Sequence, residues 1–158
     1  MAQTILAFPQ ERLAAAHEPS PQRALGALPG DWTVLEDVAG LPADRVILGP
    51  NGVFTLVVDP DPRPAVITTD GLYRGGTRVT TTVKRALGAA FALRRRFGDE
   101  LPEVFPYPLL AVHGDTTLGF VGRLRVLPAD MVAEAVWTHP GRPLLRSQRS
   151  AVARALGC

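Results

Sequence analysis

Cysteine is almost missing from this chain: among 158 residues only the last, Cys158, is one. A disulfide between two of its own residues and a cysteine-based metal cluster are thereby excluded. Lysine is nearly as scarce, with Lys84 alone against sixteen arginines. Guanidinium groups form bidentate bonds to phosphate oxygens, yet a composition rich in Ala, Gly, Pro and Arg and poor in Lys is also what a GC-rich bacterial genome writes in any protein. The net charge of +2 and a pI near 9.2 point only weakly to a nucleic-acid partner. Long apolar runs are absent too, so no transmembrane helix and no membrane partner are expected. The N-terminal stretch carries Glu11 and Arg12 where an export signal would run from basic to apolar, and a cytoplasmic protein is expected.

Several catalytic signatures are missing as well. Gly75-Gly76 lacks the strand, glycine and helix order of a nucleotide-binding loop. His17, His113 and His139 are far apart and lack the paired spacing of zinc ligands. Ser20, Ser147 and Ser150 fall at or in expected helices, with no nucleophile elbow around them.

What is present is a strong hairpin signal. Two apolar runs, residues 45 to 48 and 53 to 58, flank Gly49-Pro50-Asn51-Gly52, and an Asn-Gly pair in that position predicts a tight turn with positive φ at both residues. The second run, VFTLVV, is interrupted only by Thr55, so it reads as a strand covered on both faces. Asp44 and Asp59 stand at the two ends of this hairpin.

Around it, residues 1 to 9 read as an extended arm, and residues 10 to 17 and 20 to 28 as two helices separated by Pro19 and Pro21. Residues 32 to 38 alternate as a first strand. Three prolines in PDPRP stop the chain after Asp59. A weaker strand over 65 to 69 and a Gly-rich hairpin over 73 to 79 are expected to extend the sheet's edge. Residues 82 to 97 give the clearest helix, with Val83, Leu87, Ala90, Phe91 and Leu93 on the apolar face and Arg85, Arg94, Arg95 and Arg96 toward solvent. Strands over 107 to 113 and 118 to 126 follow, then helices over 128 to 137 and 147 to 156. The order predicts one α/β domain over 1 to 158: a three-layer-like sandwich with a central mixed β-sheet flanked by helices.

Here the sequence resembles a known family. LGALPGDWTVLEDV followed by ADRVILGPNGVFTLVVD is similar to the nuclease-related domain (NERD), a branch of the PD-(D/E)xK nuclease superfamily. The resemblance covers roughly residues 18 to 97, and Pro50-Asn51-Gly52-Val53-Phe54 is its most specific segment. It implies a restriction-endonuclease-like fold and a site in which carboxylates hold Mg²⁺ or Mn²⁺ while a lysine supports the attacking water. Asp44 falls on the family's first metal-binding aspartate and Glu18 on its helical acid. The next positions depart: Val57 stands for the glutamate of Glu-x-Lys and Asp59 for its lysine. The expectation is therefore a catalytically degenerate domain with no resident cofactor, acting as an interaction or assembly module by binding a protein partner or its own copy. One alternative is a metal-dependent nuclease with migrated residues, in which Glu18, Asp44, Asp59 and Lys84 serve, with Asp44 and Glu18 as metal ligands. Another is non-catalytic nucleic-acid binding through Arg85, Arg94, Arg95 and Arg96, joined by Arg74 and Arg78.

Overall fold

The computed structural model describes residues 25–26, 28–113 and 118–158. The expected arm over 1 to 9, the helix over 10 to 17 and most of that over 20 to 28 lie outside these residues.

The central hairpin forms as β2 (Arg45–Gly49) and β3 (Gly52–Asp59). Seven of the eight β3 residues are buried, as a strand covered on both faces must be. Its turn differs from expectation. Gly49 pairs with Gly52, so the two turn residues are Pro50 and Asn51, and neither has a positive φ. Proline fixes φ near −65° and suits the second position of a type I turn, with Gly52 following at the fourth. The Asn-Gly pair misled because proline had already taken the position in which a primed turn needs positive φ.

β1 (Thr33–Glu36) pairs antiparallel with β2. Beyond β3 the sheet continues with β7 (Tyr107–Val112) and β9 (Leu124–Pro128), both parallel to their inner neighbours, and ends at β8 (Gly119–Val121), antiparallel to β9. The sheet order β1-β2-β3-β7-β9-β8 is thus mixed, and helices lie on both faces.

Alternation along the strands explains the layers. Ile47, Phe54, Leu56, Leu109, Ala111 and Leu127 face one side and pack against Val132 and Val136 of α2 (Val132–Trp137). Val46, Leu48 and Val53 face the other, against Leu93 and Phe97 of α1 (Thr81–Phe97) and Ala151 and Val152 of α3 (Arg146–Ala155). Burial of each such Leu, Ile or Phe contributes about 1.5–3 kcal/mol relative to exposure. An aromatic chain crosses the first layer, with Trp32 stacked on Trp137 and Phe54, and Phe54 meeting Tyr107 at 5.5 Å between ring centres.

Three expectations about the elements are corrected. The segment 118 to 126 is a hairpin, β8 and β9, not one strand. Val121 pairs with Leu124, and Gly122 turns the chain with φ of 60°. The segment 73 to 79 does not extend the main sheet. β4 (Val66–Thr68), β5 (Gly71–Arg74) and β6 (Thr77–Arg78) make a separate antiparallel sheet, because both edges of β3 are already taken by β2 and β7. Finally, α1 buries Ala86, Ala89, Ala90, Leu93 and Phe97, successive steps of 3, 1, 3 and 4 residues that keep to one stripe and leave Phe91 one step round the helix and 53% exposed.

Candidate functional site

Asp44 immediately precedes β2, and its backbone N–H already bonds the Leu56 carbonyl at 2.8 Å. Its carboxylate continues that ladder by accepting the Val58 N–H at 2.7 Å through Oδ2. The other oxygen, Oδ1, accepts from Arg85 Nη2 at 2.8 Å, and Arg85 Nε donates to the Pro42 carbonyl. Asp44 is therefore a strand-end bracket held by a guanidinium from α1.

Asp59, two positions beyond Val57 on the same face of β3, has different partners. It is 6% exposed, accepts the Asp61 N–H at 3.0 Å and pairs with Arg74 Nη2 at 3.2 Å. Val57 between them is fully buried among Ala65, Leu72, Ala86 and Leu110. Lys84 is exposed on α1 and makes no ion pair with either carboxylate among the described residues. Glu18 lies outside the described residues. No group of three or more His, Cys, Asp or Glu side chains within reach of one metal ion occurs among the described residues.

The arginines singled out from sequence divide into separate environments. Arg85 belongs to Asp44. Arg94, Arg95 and Arg96 form the last turn of α1, where cations favour the negative end of the helix dipole. Arg94 donates to the carbonyls of Gly98 and Pro102 and lies 5.0 Å over the Phe105 ring. Arg96 donates to the Ala39 carbonyl. These bonds leave fewer donors for phosphate oxygens than an exposed arginine face would offer. Arg74, expected beside Arg78 on a surface, has a side chain only 3% exposed.

Sequence reasoning missed an open apolar groove. Phe91, Phe105 and Phe120 are 53%, 52% and 63% exposed, and all three line a groove of about 420 Å³ with Tyr107 and His139 at its side. Arg94 and Arg123 line it too, and among the described residues no Asp or Glu does. His139 lies tilted against Tyr107, 4.1 Å between ring centres, and meets Phe54 edge to face at 5.2 Å. Burial, with Arg125 nearby, holds its imidazole below the ordinary histidine pKa. The signal existed in the scatter of single phenylalanines at positions 91, 105 and 120, but only folding brings them together.

A second pocket, about 280 Å³, opens beside Asp59 and Asp61 at the start of α1. Asp61 is bonded by Arg63 through both oxygens, at 3.1 and 2.7 Å, and this pair holds its carboxyl well below the usual range.

No family model, curated protein or solved structure matches this chain. Among the described residues no helix is long and apolar enough to cross a membrane.

Proposed function

We propose that this chain is a catalytically silent domain of the nuclease-related type, restriction-endonuclease-like in its finer fold, that works in the cytoplasm without a resident metal by holding a protein partner. The observation that carries the reading is the groove of Phe91, Phe105 and Phe120, with Arg94 and Arg123 on its lining and no carboxylate among the described residues. Half-exposed aromatics gathered at one place mark an interaction face rather than ordinary surface scatter. The charge of the lining favours a segment with apolar anchors and acidic flanks. A second copy of this chain meeting through the same face would bring Arg94 and Arg123 toward their own copies, which disfavours self-association there.

The catalytic positions support silence. A metal needs free carboxylate oxygens, and those of Asp44 are held by the Val58 amide and by Arg85. Asp59 is bonded to Arg74, and Val57 supplies no oxygen at all.

The test has two arms on the full chain. Single- and double-stranded DNA and RNA are incubated with Mg²⁺ or Mn²⁺, and no cleavage above that of Asp44→Ala is expected. Fluorescence polarisation then measures binding of a synthetic peptide that alternates Phe or Leu with Glu, against the same peptide with Lys for Glu. Saturable binding of the acidic peptide, lost in Phe120→Ser, is expected. Cleavage abolished by Asp44→Ala, or equal binding of the two peptides, would overturn the reading.

A further inference from the structure

Arg74 is the polar group whose surroundings are least explained by folding. Its side chain is 3% exposed, and a guanidinium carries five N–H donors. Nη2 donates to Asp59 at 3.2 Å. Nε lies 3.9 Å from Asp61 Oδ2, too far for a hydrogen bond, and neither Nε nor Nη1 has an acceptor. Buried donors left unmade are rare in native proteins and each asks for a cause, because the desolvation of a charged group is then only partly offset.

The same pocket receives the start of α1. Thr80, Thr81 and Thr82 line it, Thr80 makes no side-chain cap bond, and the first turn contains no acidic residue. The first amide N–H groups of a helix have no partner within the helix, and the helix dipole places partial positive charge there. A buried guanidinium with two of its nitrogens unbonded and an uncapped helix start thus meet in one pocket of about 280 Å³.

The lining charges do not cancel. Arg63, Arg74 and Arg78 face Asp59 and Asp61. Asp59 is engaged by Arg74 and Asp61 by Arg63. Arg78 is exposed and bonds only the carbonyl of Asp70, whose carboxylate is held by Thr68 and Tyr73. One guanidinium and the helix end remain without a carboxylate bonded to them.

We propose that this pocket binds a tetrahedral oxyanion, the phosphate of a small phosphomonoester or inorganic phosphate itself. Donors come from two directions, the guanidinium of Arg74 and the first turn of α1, and a tetrahedral anion presents three or more oxygens to share between them, more than the two of a carboxylate. Asp59, Asp61 and nearby Asp70 disfavour an extended polyanion such as nucleic acid. Nε and Nη1 are closed to solvent beside Asp61, which is itself 27% exposed. The anion therefore takes the place of the Asp61 carboxylate next to Arg74, and Asp61 turns outward with Arg63. This inference stands whether or not the aromatic groove takes a peptide.

Isothermal titration calorimetry of the full chain at low ionic strength tests it, with inorganic phosphate, glycerol phosphate, chloride and a short single-stranded oligonucleotide as probes. Saturable one-to-one binding of phosphate or glycerol phosphate is expected, at least tenfold tighter than chloride. Equal affinity for the two assigns the site to free phosphate, and tighter glycerol phosphate binding assigns it to a monoester. Asp61→Asn should tighten binding, and Arg74→Gln should weaken it at least tenfold. Because Arg74→Gln also breaks a buried pair, exposed Arg78→Glu is the second variant, with the same expected loss and an unchanged melting temperature. Absence of saturable phosphate binding, indifference to Arg78→Glu, or tighter oligonucleotide binding that phosphate cannot displace would overturn the proposal.

Discussion

The side-chain amide of Asn51 donates to the carbonyl of Val136 at 2.9 Å and to that of His139 at 3.1 Å, tying the central turn to the end of α2. The last carbonyls of a helix have no partner within it, and Asn51 supplies one from a strand turn 85 residues away in sequence. Asn51→Ala should cost about 1–3 kcal/mol, since both carbonyls lose the Asn51 amide and that of Val136 keeps only the long bond from the His139 N–H at 3.4 Å. Asn51→Asp should cost more, because a carboxylate would then face them. Urea denaturation of the three proteins checks the order.

Two glycines should respond with opposite sign. A Cβ on Gly49 would collide with the Trp32 ring, so Gly49→Ala should destabilise by about 1–3 kcal/mol through overpacking. Gly88 lies within α1 with nothing near the Cβ it would gain. Gly88→Ala should stabilise by about 0.5–1 kcal/mol, as expected for a helix interior. Thermal melts of the two variants separate the effects.

Asp44 should prove structural before anything else. Asp44→Ala strands the Val58 N–H, at a cost of about 1–3 kcal/mol. Arg85→Ala removes a half-exposed ion pair, worth roughly 0.2–1 kcal/mol, and an exposed bond to the Pro42 carbonyl that water can replace. Equal costs in chemical denaturation would contradict this assignment.

Restoring the family's carboxylate at position 57 should not restore a site. Val57 is fully buried under α1, and Val57→Glu places a carboxyl among Leu72, Ala86 and Leu110 with no partner in that cluster. The loss should exceed about 3 kcal/mol, enough to unfold much of the protein, and circular dichroism would read it directly.

His139 makes stability depend on pH. Its folded pKa is depressed by burial, so between that value and the ordinary one near 6.5 the unfolded chain binds more protons. Stability contributed by the neutral imidazole is therefore full above about pH 6.5 and declines as pH falls through this window, levelling below the folded pKa. Denaturation midpoints in mildly acidic buffer should fall less in His139→Gln than in the unsubstituted protein.

The layered fold was legible where periodicity is local. The burial of β3, the length of α1 and the strand at 107 to 112 all follow from runs of apolar residues at period 2 or 3.6. What was not legible depends on distant partners. Whether residues 73 to 79 join the main sheet is decided by whether β3 has a free edge, which no local pattern records. The exposure of Phe91 depends on which flank of α1 meets the sheet, and a helical stripe broad enough to include it fixes that rotation only loosely. At the candidate site, Asp44 was singled out from sequence, but its occupation by Arg85 required the crossover helix to be placed. Arg74 looked like surface charge because nothing nearby in sequence announces that β5 buries it.

The main sheet ends in two very short strands, β1 with four residues and β8 with three. Neither offers a length of unpaired backbone on which an incoming chain could zip. A peptide bound at the phenylalanine groove must then be read through its side chains, with its own amide hydrogens turned to water. N-methylation along such a peptide should leave its affinity nearly intact, whereas loss of one ring from its anchors should not.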